Sequence, residues 1–277
     1  MRLGCMLYSL GRSLADGTLD LPQAFAVIKD CGGEGVDLMR TARDHPWAEV
    51  RRMVADAGLV VSSHIGGADL TQADPALRTP GIDAVKCVID EACEVGTDLA
   101  LVTTGACHDG QDKAEARRNV ASALAEVLPY ARAAGITVTI EDFGSPRAPY
   151  QTGAEVAECC ELAGPDLMVT YDSGNMIMGD EDPVDFLRLV APRVRHSHAK
   201  DWELLPPDAE TGLTARSGKR YIGTVVGAGV LDYPAIIGAL KAMDYRGFVS
   251  FEYEGPGDPV AAAHEGMRYL KELIEQT

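Results

Sequence analysis

The chain has no apolar run approaching the ~18 residues of a membrane-spanning helix, no Cys-x-x-Cys pair, and no Gly-x-Gly-x-x-Gly behind its first strand-like segment. The first absence leaves no helical anchor, and the apolar stretch between Met1 and Leu10 is too short for an export signal. Seven cysteines, at 5, 31, 87, 93, 107, 159 and 160, are odd in number and scattered, which is poor material for a disulfide framework. A reducing, cytoplasmic setting is the expectation. The missing glycine motif removes the usual sign of a dinucleotide-binding open sheet, and Gly227-Ala-Gly229 comes late enough to read as a turn. Positive charge is also scarce: 25 Lys and Arg face 42 acids, for a net charge of −17. A field of that sign repels nucleic acid and anionic membrane, so neither is expected as a partner.

What is present is ordinary for a globular protein, with 46% apolar and 24% charged residues. The 277 residues fit one large domain, and the whole chain, residues 1–277, is read as such. Strand-like runs fall at Leu3–Leu7, Gly35–Leu38, Leu59–Ser63, Leu99–Thr104, Ile136–Glu141, Leu167–Asp172, Val194–Ala199 and Phe248–Glu252. Helical periodicity or caps lie between and after them, at Leu21–Asp30, Pro46–Ala57, Pro80–Val95, Lys113–Ala134, Ala154–Leu162, Pro183–Val190, Tyr233–Met243 and Pro259–Gln276. Eight βα units in succession predict an α/β fold, a closed (β/α)₈ barrel. The longest irregular stretch, Trp202 to Val230, is read as a strandless functional loop.

Four of the strands share a design. Ile136–Glu141, Leu167–Asp172 and Phe248–Glu252 each end in an acid, and His198 lies near the end of Val194–Ala199. With a side-chain period of two, a small or polar residue sits beneath each terminal group: Thr139 under Glu141, Thr170 under Asp172, His196 under His198, and Ser250 under Glu252. In a parallel barrel these ends meet at one face, where active sites are built. Three buried carboxylates would repel one another without a cation, so the set predicts a divalent metal site. Oxygen-rich donors with one imidazole and no cysteine suit one Mn²⁺ per chain, or Mg²⁺, Co²⁺ or Zn²⁺. Such an ion suits binding a carbonyl and an adjacent hydroxyl of a substrate.

The runs Ile140-Glu141-Asp142, Tyr171-Asp172-Ser173-Gly174-Asn175, His196-Ser197-His198-Ala199-Lys200-Asp201 and Phe251-Glu252-Tyr253-Glu254 resemble the metal motifs of the xylose isomerase-like sugar phosphate isomerase/epimerase superfamily. The resemblance covers nearly the whole chain. It implies a barrel with one metal held by Glu141, Asp172, His198 and Glu252, and with Glu141 and Glu252 as acid and base beside the reacting carbons. The chain departs from tagatose-type epimerases in carrying Asn175 where they carry histidine and Arg147 where they carry glutamate. Those two positions are candidates for substrate contacts of a different kind. The superfamily's apurinic endonuclease branch needs further histidines that this chain lacks.

Other candidates come from position alone. His64 ends the predicted third strand and either faces the pocket or sits in the core. Lys200 shares a face with His198 and is expected to meet a substrate oxygen or pair with Glu254. Asp37 at the end of the second strand and Trp202 after the seventh are expected to line the barrel mouth, and Arg216-Ser-Gly-Lys219-Arg220 concentrates positive charge in the long loop, either for a substrate anion or as solvated charge. The expected function is a metal-dependent isomerase or epimerase of a small carbohydrate, a keto-sugar or related polyol, working through an enediolate. The rivals are a lyase acting on an inosose, dehydroshikimate-like or keto-glycoside substrate, and a non-catalytic sugar-binding subunit. Nothing in the sequence decides between monomer and homo-oligomer.

Overall fold

The computed structural model describes residues 1–39, 42 and 44–276. Eight parallel strands close into a barrel: β1 (Arg2–Met6), β2 (Gly35–Met39), β3 (Val60–Gly67), β4 (Leu99–Thr103), β5 (Thr137–Ile140), β6 (Met168–Asp172), β7 (Val194–Ala199) and, after an excursion, β11 (Phe248–Phe251). Around the ring the order is β1-β11-β7-β6-β5-β4-β3-β2. The predicted barrel is therefore the observed one, and its four acid- or histidine-bearing strands are neighbours.

The helices start and stop where local chemistry directs. Helix α2 (Leu21–Asp30) opens on a capping box between Asp20 and Gln23, and α6 (Gly153–Ala163) on one between Thr152 and Glu155. Helix α5 (Lys113–Ala134) is capped by Asp112 and released by Gly135, whose φ of 73° a β-carbon would oppose. Helix α4 (Pro75–Val95) begins earlier than its predicted start at Pro80. Asp74 caps Ala76 and Pro75 takes the first turn, so Pro80 lies inside the helix. The remaining helices are α1 (Gly11–Ala15), α3 (Trp47–Asp56), α7 (Pro183–Val190), α8 (Tyr233–Ala242) and α9 (Pro259–Glu275). No helix among the described residues is long and apolar enough to cross a membrane. The seven cysteines are all free.

Two expectations change. Strand β3 runs past its predicted end at Ser63 through Gly66 and Gly67, which pair with Val102 and Thr103 of β4. A β-carbon at Gly66 would lie 2.4 Å from Val88 of α4, so glycine there permits close strand–helix packing. The stretch after β7 is not strandless: β8 (Asp201–Leu205), β9 (Leu213–Thr214) and β10 (Arg220–Thr224) form a small antiparallel sheet in the order β8-β10-β9. Trp202 and Tyr221 of this sheet pack with Met178 and Ala215 in a core of their own. Gly227 and Gly229 do form a turn, and their amides bind the Asp201 carboxylate at 3.0 and 3.1 Å.

Candidate active site

Register brings the polar groups together. Asp172 pairs across from His198, and Ser250 pairs with His198 from the other side, which sets Glu252 two residues further on, just past the end of β11. Beneath them lies the predicted layer of small and polar side chains. Thr139 and Thr170 share a hydrogen bond of 2.8 Å, and Ser250 reaches His196 at 3.4 Å. That layer also contains Asp37, which the sequence suggested for the mouth. It is instead fully buried below the site, where Ser62 donates to its Oδ1 at 2.5 Å. Both imidazoles meet its Oδ2, His196 Nε2 at 2.9 Å and His198 Nε2 at 3.1 Å. A carboxylate that accepts from Nε2 fixes the His198 tautomer and leaves the Nδ1 lone pair directed at the cluster above.

In that cluster His198 Nδ1 lies 2.6 Å from Glu141 Oε1 and 3.4 Å from Glu252 Oε2. Glu141, Asp172, His198 and Glu252 each offer a ligand atom within 4.8 Å of the others. Glu141 Oε1, Asp172 Oδ2, His198 Nδ1 and Glu252 Oε2 are shut off from water and, apart from the close approach of His198 Nδ1 to the two glutamates and of Lys200 to Asp172, have no polar partner. Stranding four converging polar atoms is costly unless something charged joins them, and a divalent cation fits this donor set. Asp37, His196 and His198 also converge closely enough to hold an ion. Their contacts are already accounted for as hydrogen bonds to one carboxylate, and the four-residue cluster has the open donors.

The electrostatics are asymmetric. Burial, only partly offset by His198, raises the Glu141 carboxyl to about 7. Burial also works to raise Glu252, but Lys200 and His198 outweigh it and hold that carboxyl at about 2. Asp172 is raised by burial against the pull of Lys200. Burial would lower Lys200, but its carboxylate neighbours keep it well above the ordinary lysine range. The ammonium sits 2.7 Å from Glu252 Oε1, 3.3 Å from Glu254 Oε1 and 3.5 Å from Asp172 Oδ2, and it donates to Asn175 Oδ1 at 3.3 Å. Asp172 Oδ1 accepts the amides of Gly174 and Asn175 at 2.6 and 3.0 Å, which fixes its other oxygen toward the cluster.

A cavity of about 370 Å³ opens above these groups, and Glu141, Glu252, Lys200 and Asn175 line it. The other proposed substrate contacts lie elsewhere. His64 sits within β3, and alternation turns it outward, its Nε2 3.0 Å from Glu91 on α4 and its ring 4.8 Å from that of Trp47. Arg147 donates to the Cys107 carbonyl at 2.8 Å, and Arg216 pairs with Glu155 at 2.9 Å. Arg220 donates to the Thr211 carbonyl at 2.9 Å. Trp202 is buried behind Lys200, its Nε1 donating to the Gly174 carbonyl at 2.9 Å. Sequence reasoning missed the apolar lining of the cavity, Met6, Met39, Ile65, Leu101, Phe143 and Leu213. The signal was faint: methionine, isoleucine and leucine near strand ends look the same whether they face a core or a ligand.

The structure is thus a parallel barrel with an oxygen-rich candidate metal site at the carboxyl ends of four adjacent strands. The chain belongs to the xylose isomerase-like TIM barrel family, whose sequence model matches residues 25–273. Among its relatives, an inosose dehydratase of Geobacillus kaustophilus is 33% identical over 131 residues, 46% of this chain and 42% of that protein. The match thus spans less than half the length of that relative. A solved L-ribulose 3-epimerase superposes with a TM-score of 0.80 at 19% identity, covering 99% of this chain and 94% of the other. A probable 3-DHS dehydratase of Bacillus anthracis gives 0.77 at 17%, covering 98% and 99%. At such identities the superpositions show the fold, and that fold carries both activities.

Proposed function

We propose that the protein is a divalent-metal-dependent isomerase or epimerase of a keto-sugar or related polyol. The observation that carries this reading is the placement of Glu141 and Glu252. They flank His198 Nδ1 from β5 and β11, and both open on the same cavity. Glu141, Asp172, His198 and Glu252 would hold the ion, and the hard donor set favours Mn²⁺. When bound, such an ion supplies Lewis-acid polarisation of a ketone and its neighbouring hydroxyl. One glutamate then takes the proton from the carbon between those groups, and the other returns a proton to the enediolate. Lys200, wedged against Glu252, supplies positive charge to the developing oxyanion. Asp37 holds the His198 ring, and the barrel wall keeps bulk water from the carboxylates.

A lyase is the second reading, supported by the similarity to inosose dehydratase and by Lys200 itself. An ammonium lining the cavity can donate a proton to a departing hydroxyl after the same enolisation. Incubating the Mn²⁺-loaded protein with keto-sugars and inososes in D₂O separates the two readings. Isomerisation returns a product of unchanged formula with deuterium on the carbon alpha to the ketone, whereas elimination yields a product lighter by one water. Absence of exchange and turnover throughout the screen would leave a sugar-binding role instead.

A further inference from the structure

The cavity above the carboxylates has a second wall that this chemistry does not use. Met6, Met39, Ile65 and Leu101, one each from β1, β2, β3 and β4, pack together inside the barrel mouth, apart from the main core. They line the same cavity of about 370 Å³ as Glu141, Glu252 and Lys200. Phe143 and Leu213 carry the apolar lining outward to the rim, where they are 45% and 40% exposed. Thr103, Tyr8 and Ser145 also line this cavity; Thr103 turns its hydroxyl to the Gly66 carbonyl at 3.5 Å, and Tyr8 is 45% exposed. Among the described residues the cavity's cation is Lys200, already surrounded by Glu252, Glu254 and Asp172.

We propose that this wall is a hydrocarbon-binding subsite. The substrate is then a neutral α-hydroxyketone whose end remote from the reacting carbons is deoxygenated or bears an apolar substituent. The inference rests on the reading above for where the reacting carbons lie. Because the charged groups occupy β5, β6, β7 and β11, a molecule held by them extends across the mouth toward β1 to β4. A hydroxyl pressed against Met6, Met39, Ile65 and Leu101 would give up water and find no partner, and a phosphate would lose far more. A methylene placed there gains by leaving water.

The test is binding to the Mn²⁺-loaded protein, measured calorimetrically, of 1-hydroxy-2-alkanones from hydroxyacetone to 1-hydroxy-2-hexanone, with fructose as the hydroxylated counterpart. Plain 2-alkanones of the same lengths, which lack the chelating hydroxyl, form a parallel series. Affinity is expected to rise about fourfold per methylene in the hydroxyketones, and 1-hydroxy-2-hexanone should bind at least about tenfold more tightly than fructose. In Leu101→Asn and Ile65→Thr the gain per methylene should fall below about twofold, whereas volume-conserving Leu101→Met should keep it. Mn²⁺ affinity, measured alongside, shows that the variants remain folded. A rising 2-alkanone series with no solvent exchange of hydroxyketones would keep the subsite and discard the enolisation reading. A flat series in the wild type, tighter binding of fructose, or no binding in either series would overturn the subsite.

Discussion

The barrel mouth is divided. One half, β5, β6, β7 and β11, carries Glu141, Asp172, His198, Lys200 and Glu252, while the other, β1 to β4, presents Met6, Met39, Ile65 and Leu101. The halves share one backbone architecture, so the difference lies wholly in which residue the sequence places at each inward-facing position. The polar half is stable only because its charges are matched: Lys200 sits among three carboxylates, Asp37 supports the imidazoles from below, and four donor atoms converge as ligands would around a cation. The apolar half requires no such matching. The division assigns chemistry to one side and selection of the substrate's remote end to the other.

The largest effect should come from disturbing the polar half at its reacting groups. Glu141→Gln and Glu252→Gln should each lower kcat by about 10² to 10⁴, the range of a general acid or base, with solvent deuterium exchange lost in step. Exchange undiminished in either variant would remove that residue from proton transfer. One layer down, Asp37→Asn should weaken metal affinity by about 10- to 100-fold, because one amide cannot hold both imidazoles as the carboxylate does. Unchanged affinity would show that His198 keeps its orientation without it. The smallest effect is expected outside the mouth. Arg216→Ala and Arg220→Ala should alter KM by less than about twofold, since those side chains are engaged by Glu155 and by the Thr211 carbonyl. A larger rise in KM would mean that the loop turns toward the substrate.

The polar half was legible in the sequence because its pattern is periodic. An acid or histidine at a strand end with a small polar residue two positions back marks both the strand and its inward face, and the structure brought Glu141, Asp172, His198 and Glu252 within ligand distance of one another. Lys200 and Asn175 also reached the cavity. His64 was left open between pocket and core because the strand was expected to stop at Ser63, whereas β3 continues through Gly66 and Gly67 beneath α4 and alternation points the imidazole outward. The basic segment of residues 216–220 gave charge without direction: Arg216 finds its partner on α6, 61 residues away in sequence, and Arg220 turns back to the carbonyl of Thr211 in its own loop. The sheet formed by β8, β9 and β10 was hidden because its strands are short and interrupted by turn residues. Asp37 read as a mouth residue since nothing local shows that it accepts from two imidazoles contributed by β7.

Metal titration of the purified protein tests the central claim most directly. Wild-type protein should bind about one Mn²⁺ or Co²⁺ per chain, and Asp172→Ala or His198→Ala should abolish that binding while the barrel stays folded. The pH dependence has a defined sign. Glu141 is raised to about 7 and His198 is raised above the usual imidazole range, so below neutrality both carry protons that an ion must displace. Affinity should therefore climb with pH through this region, by about tenfold per unit for each proton released, and fall away in acid. Titration showing no bound ion at any pH, or full affinity retained in both alanine variants, would contradict the account.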